Sequence, residues 1–257
     1  MDTVRRGAKQ FAILSYRVMD LATSSMIVFD GIAGSGKTTA ITAVKKIFQE
    51  QEAKIFDLAT WAKDHRDPPT FEDVKDYDVL FTFEPTKQWV GSAIRYEMSQ
   101  TQKPYSGTAL AHAFSLDRLV QYRRLILPAR QAGKIIVQDR SVTSSIVYQP
   151  IMPDGPELKD LLEMPGNELA VKHAPDLIIL TQIDPKLVAS RHTRDDDSKG
   201  VFEDINLLTR VQERFHSDWF MEIFTKNGTT FEILNTELSL EETKLQAIDY
   251  VQTYLGR

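Results

Sequence analysis

The chain contains no cysteine, which excludes disulfides, thiolate catalysis and cysteine-ligated zinc. It has no apolar run of about 18 residues, so no membrane-spanning helix and no membrane partner are expected. Basic residues are not in excess: 31 Lys and Arg stand against 36 Asp and Glu, a net charge of −5. Many duplex-binding modules are basic overall, so no nucleic-acid partner is expected either, although a local basic pocket for a small anion remains compatible. Met1 to Arg17 carry the scattered charges Asp2, Arg5, Arg6 and Lys9. They lack the apolar block and small-residue cleavage site of a signal peptide, and the cytoplasm is the expected location. There is no internal repeat of the solenoid kind and no low-complexity tract. What remains is 257 residues, 42% hydrophobic and 26% charged, an ordinary globular composition with room for one α/β domain or two small ones.

Short apolar runs alternate with helical spacing. Met26 to Phe29 reads as a strand that stops at Asp30-Gly31, and Ala40, Ile41, Val44, Ile47 and Phe48 then form one helical stripe. Lys54 to Phe56 is a second candidate strand, and Val79 to Phe83 a third, ending at Glu84-Pro85. A helix from about Gly107 is expected to kink or restart at Pro128 and to close at Gly133. Ile135 to Val137 is a buried-type strand ending at Asp139, and Leu177 to Leu180 is another, followed by Asp184-Pro185 as cap and first-turn proline. Thr230 to Leu234 reads as a last strand, and Ser239 to Glu242 as a capping box opening the final helix. The expected architecture is an α/β, three-layer fold: a mostly parallel, five-stranded sheet with helices on both faces. One domain is expected over 1–257, with an N-terminal extension at about 1–23. The charged stretch at about 58–78, with its Pro68-Pro69, reads as an inserted helix-and-loop excursion. Ligands of such sheets bind at the carboxyl ends of the strands, where Gly31, Glu84, Asp139 and Asp184 stand.

Gly31-Ile32-Ala33-Gly34-Ser35-Gly36-Lys37-Thr38 fits the phosphate-loop pattern, with a strand before it and a helix after it. Its glycines let backbone N–H groups converge on phosphate oxygens. Lys37 supplies mobile charge to the outer phosphates, Thr38 a hydroxyl for Mg²⁺, and the following helix its dipole. The expected ATP-binding set is Gly31, Ala33, Gly34, Ser35, Gly36, Lys37, Thr38 and Thr39. A guanine-specificity Asn-Lys-x-Asp element and the transporter-ATPase signature Leu-Ser-Gly-Gly are both absent from the sequence.

Three further segments narrow the field. They are Phe83-Glu84-Pro85-Thr86 continuing to Ile94-Arg95, then Phe114-Ser115-Leu116-Asp117-Arg118, and the run from Asp139-Arg140-Ser141 to Tyr148-Gln149. In order, spacing and strand-end placement, the sequence from roughly 25 to 245 resembles the thymidylate kinase family, and most of all its archaeal-type members. The resemblance implies a P-loop kinase fold with a small lid. It also implies phosphorylation of dTMP to dTDP by ATP with Mg²⁺, and a homodimer.

Transfer between two phosphorylated nucleotides gathers several negative charges, which the protein must neutralise, align and dry. Asp139, at a strand end, suits the organising of Mg²⁺-bound water or the attacking phosphate; the competing reading is a cap on the next turn. Arg140 would clamp phosphate, and in the family the matching arginine lies at the transferred group. Glu84 would receive an arginine or a metal-bound water. Arg95 matches a family arginine that binds the acceptor phosphate; taken alone it reads equally well as a solvated helix residue. Phe114 matches the phenylalanine that stacks on thymine, while its pattern with Leu110 alone favours the core. Arg118, one turn on, could bond the O4 of a pyrimidine. Ser145 and Gln149 share a helix face that reads the thymine edge in the family, and Tyr148 matches a tyrosine that crowds the sugar 2′ position. Arg191 and Arg194 begin the expected lid, about 191–203, and could close over the transferred phosphoryl group.

The sequence departs from the family pattern twice. Ala33 stands where many members carry an acid for the acceptor's 3′-hydroxyl, and Phe83 stands where many carry arginine. Other readings therefore stay open. Glu84-Pro85-Thr86 followed by Trp89 is similar to the Glu-Pro-Val-x-x-Trp element of deoxynucleoside kinases, although Asp139-Arg140-Ser141 and Tyr148-Gln149 fit that family less well. A nucleoside monophosphate kinase of altered base specificity and a non-catalytic nucleotide-binding regulator are the remaining alternatives.

Overall fold

The computed structural model describes residues 24–100, 104–191 and 205–256. Six strands form one sheet: β1 (Ser25–Asp30), β2 (Ile55–Asp57), β3 (Val79–Phe83), β4 (Ile135–Asp139), β5 (Leu177–Gln182) and β6 (Thr230–Asn235). Their order is β2-β3-β4-β1-β5-β6, and every neighbouring pair is parallel. The expected count of five is corrected to six. The three-residue edge strand β2 completes the set, pairing Ile55 with Val79 and Asp57 with Phe81. It overlaps the candidate run Lys54 to Phe56, so all six candidate runs form strands.

All six residues of β1 are buried, because helices cover both faces of the sheet. Ile27 and Phe29 point to the face covered by α1 (Lys37–Glu50) and the C-terminal helix. On α1 the predicted stripe is present: Ala40, Val44 and Phe48 are buried, with Ile41 and Ile47 packed beside them. Met26 and Val28 face the opposite layer. That layer holds the helical turn Tyr122–Ile126, the helix Val142–Tyr148 after β4, and the helices Ile205–Phe215 and Asp218–Thr225.

Between β2 and β3 the excursion forms α2 (Leu58–Asp64) and α3 (Phe71–Val74). After β3 come α4 (Trp89–Ala93) and a π-helical turn at Ile94–Met98. The next segment is α5 (Gly107–Gln121), which passes through a second π-helical turn at Tyr122–Ile126 into α6 (Leu127–Gln131). Pro128 lies in the first turn of α6, so the helix restarts where the proline was expected to interrupt it. Helix α7 (Val142–Tyr148) follows β4 directly. Then come α8 (Leu158–Glu163), α9 (Pro165–Lys172), α10 (Pro185–Arg191), α11 (Ile205–Phe215), α12 (Asp218–Thr225) and α13 (Leu240–Leu255). The predicted capping box is formed: Ser239 Oγ accepts from Glu242 N at 3.2 Å, and Glu242 Oε2 accepts from Ser239 N at 3.1 Å. The expected N-terminal extension lies outside the described residues, and Arg194 does too, with nearly all of the expected lid; Arg191 closes α10.

Candidate active site

The carboxyl ends of β1, β3 and β4 converge because these strands are neighbours: Phe29 pairs with Asp139, and Phe83 also pairs with Asp139. Each strand delivers one acidic residue to that edge, namely Asp30, Glu84 and Asp139.

The loop Gly31–Gly36 turns directly from β1 into α1. Gly31 has φ +141°, and a Cβ there would stand 2.1 Å from Thr181 Oγ1, so only glycine fits. Thr181 Oγ1 also meets Ser35 Oγ at 2.6 Å, tying the loop to β5. Lys37 folds back over the loop: its Nζ donates to Ile32 O at 2.6 Å and to Gly31 O at 3.2 Å. Burial, with the Arg140 charge beside it, lowers the Lys37 pKa to about 7. Phosphate oxygens entering the loop would compete with those carbonyls for the ammonium and favour its charged form.

Asp30 is fully buried and was not singled out by the sequence. Gly31 N donates to its Oδ1 at 2.8 Å, Ser144 Oγ to its Oδ2 at 2.9 Å, and Thr143 Oγ1 to the same oxygen. Arg140 Nη1 lies 3.4 Å away. In the sequence an Asp before Gly reads as a turn former; in the structure it is the last residue of β1.

Arg140 makes the turn from β4 to α7 with φ +63°, a conformation uncommon for a residue with a side chain. Its Nη1 donates to Gly31 O at 3.1 Å and to Ser144 Oγ at 3.0 Å, so it spans the phosphate loop and α7. The cap of α7 is Ser141, whose Oγ accepts from Thr143 N at 3.3 Å. Asp139 is therefore not the cap. Its Oδ1 is buried without a hydrogen-bond partner among the described residues. A buried carboxylate oxygen left open costs stability unless a ligand completes it.

Behind this edge lies a second network. Arg118 Nε and Nη2 donate to Glu84 Oε2 at 2.9 and 2.6 Å, Nη2 donates to Ser145 Oγ at 3.0 Å, and Nη1 to Asn167 Oδ1. Gln138 Nε2 donates to Glu84 Oε1 at 3.2 Å and to Arg140 O at 2.9 Å, which joins the two networks. Burial pushes the Glu84 carboxyl up to about 7, against the pull of Arg118. Of the two partners expected for Glu84, the structure supplies the arginine. Asn167, Gln138 and Thr143 were missed because they matter only through contacts distant in sequence.

A cavity of about 460 Å³ opens between these networks. Ala33 of the phosphate loop lies on its wall with Arg140; Glu84, Arg95, Phe114, Arg118, Ser145, Tyr148 and Gln149 complete the set expected from the sequence. Phe114 is half-buried and lines the cavity, whereas Leu110 on the same helix is buried. Gln149 is buried, with Oε1 unpartnered among the described residues. The Tyr148 hydroxyl meets the Ala33 backbone and Arg140, and burial raises its pKa. Arg95 donates from Nε to Pro85 O at 2.8 Å and to Thr86 O at 3.0 Å. This is a built position, unlike a solvated helix residue. Burial lowers its pKa.

The family model for thymidylate kinase matches residues 71–247, more than half of the chain. The chain belongs to the thymidylate kinase family. It is 30% identical over 238 residues to the protein named "Probable thymidylate kinase" of Thermococcus kodakarensis, covering 90% of this chain and 98% of the relative. A protein of the same name from Methanococcoides burtonii is 28% identical over 232 residues, covering 87% and 95%. One from Pyrococcus abyssi is 30% identical over 223 residues, covering 84% and 90%. The thymidylate kinase resemblance read from the sequence, with its archaeal-type character, is thereby borne out. No described helix is long and apolar enough to cross a membrane.

Proposed function

We propose that the chain transfers the γ-phosphoryl group of ATP to the 5′-phosphate of dTMP, giving dTDP and ADP. The observation that carries this reading is one continuous cavity that runs from Ala33 of the phosphate loop to the Phe114 ring and the open Gln149 Oε1, with Arg95 and Arg140 on its wall. In this reading the thymine ring lies on Phe114. The buried Gln149 Oε1 accepts from thymine N3–H. Four of the five Arg118 N–H groups are held by Glu84, Ser145 and Asn167, which leaves a rigid donor at the O4 edge. Tyr148 sits beside the sugar. Arg95 and Arg140 neutralise the acceptor phosphate, and Lys37 with the loop N–H groups holds the donor phosphates.

The open Asp139 Oδ1 and the exposed Thr38 hydroxyl fit Mg²⁺ and would hold it. Bound there, the ion would offset charge on the donor phosphates. Among the described residues no group of three or more His, Asp or Glu side chains could hold a metal, which suits an ion that arrives with nucleotide phosphates. Arg191 and Arg194 as lid arginines, the homodimer and the cytoplasmic location belong to the same proposal.

A coupled assay with ATP across dTMP, dUMP, dCMP, dGMP and thymidine tests it. The expected result is turnover of dTMP well above the rest. Preference for thymidine would favour a nucleoside kinase, and tight dTMP binding without turnover a regulator; either would overturn the reading.

A further inference from the structure

We propose that Lys87 binds the phosphate of the acceptor nucleotide and that Asp67 of the 58–78 excursion positions it through Trp89. This rests on the reading that the acceptor carries a phosphate. Lys87 lines the cavity and is exposed; among the described residues its ammonium has no hydrogen-bond or ion-pair partner. Its Nζ lies 5.7 Å from the centroid of the Phe83 ring, and Arg95 Cζ lies 5.0 Å from the same centroid. One aromatic ring thus gathers two cations at the cavity wall. An aromatic face holds a cation without cancelling its charge, as a carboxylate would, so both charges stay available to an anion.

The backbone between Glu84 and Trp89 that carries Lys87 is fastened on both sides. On the inner side Thr86 N and Oγ1 donate to Asp117 at 2.7 and 2.6 Å. On the outer side Trp89 Nε1 donates to Asp67 Oδ1 at 3.0 Å, and the Arg124 guanidinium stacks 5.3 Å from the Trp89 centroid. Arg124 Nη2 donates to Pro68 O at 2.9 Å, and Trp61 Nε1 to Asp67 O at 3.1 Å. Trp89 holds φ +45°, a region that bulky residues enter only when their surroundings fix them there. No residue of the excursion lines the cavity. Its hydrogen bond to the segment that presents Lys87 is made at Trp89, and through it the excursion fixes that segment.

The test is the affinity of the full chain for dTMP and for thymidine, by calorimetry without ATP, with melting temperatures as the folding check. Lys87→Met is expected to weaken dTMP about tenfold or more, the scale of a lost charged hydrogen bond, and to leave thymidine unchanged. Asp67→Ala is expected to lower the dTMP-to-thymidine preference about threefold. Asp67→Asn, which keeps an acceptor for the indole N–H, is expected to restore it. Unchanged dTMP affinity in Lys87→Met, or equal losses for dTMP and thymidine, overturns the role of Lys87. A wild-type preference in Asp67→Ala overturns the positioning role. Failure of the functional reading looks different, because the wild-type chain would then show no preference for dTMP over thymidine.

Discussion

Arg118 donates from Nε and Nη2 to one oxygen of Glu84, at 2.9 and 2.6 Å, with both side chains buried. The pair holds a guanidinium rigid at the cavity wall. Glu84→Gln keeps the shape and leaves that charge uncompensated, so it is expected to cost about 3–5 kcal/mol of stability. Denaturant titration of both proteins checks this; a loss under about 1 kcal/mol would show that the pair is not what fixes Arg118.

Lys37 in the free protein has a pKa lowered to about 7, so above that pH it is largely neutral. Donor phosphates require the charged form and raise its pKa on binding. ATP binding at about pH 8.5, where the ATP γ-phosphate is fully ionised, is therefore expected to take up close to one proton. The sign follows: affinity falls as pH rises from 7 toward the pKa of the complex. Calorimetry in buffers of different ionisation enthalpy measures the uptake, and no buffer dependence at the higher pH would refute it. Lys37→Ala should slow turnover at least about 100-fold.

Among the described residues Asp139 leaves one buried oxygen open, and Ser141 rather than Asp139 caps α7. Asp139→Asn is expected to lower kcat about 100-fold or more with little change in dTMP affinity. A normal rate with a lower melting temperature would return Asp139 to a structural role.

Phe114 is half-buried on the cavity wall. Phe114→Ala is expected to cost roughly 1–3 kcal/mol of dTMP binding, the scale of base–aromatic stacking, with little loss of melting temperature. Lower stability with unchanged affinity would place the ring in the core after all.

The sheet was legible because strands covered on both faces read as unbroken apolar runs, and β1, β4 and β5 are of that kind. The edge strand β2 was harder to count, since three residues carry no period. The phosphate loop was legible because its glycines and Lys37 are contiguous in sequence. Phe114 was not, since helical spacing places it with Leu110 and cannot say that one turn meets the core and the next a cavity. The bonds of Asp30 to Thr143 and Ser144 join residues more than a hundred positions apart. Only the pairing of β1 with β4 brings them together.

That same carboxylate bears on redesign. Asp30 is bonded at once to the Gly31 backbone of the donor loop and to two hydroxyls at the start of α7, the helix that carries Ser145 and leads to Gln149. In the proposed reading the two nucleotide subsites share this one anchor, so a change at one is felt at the other. Shifting α7 to recut the proposed base pocket would also move the Gly31 end of the phosphate loop. New base specificity is therefore better sought at side-chain tips such as Gln149 than in the backbone path of that helix.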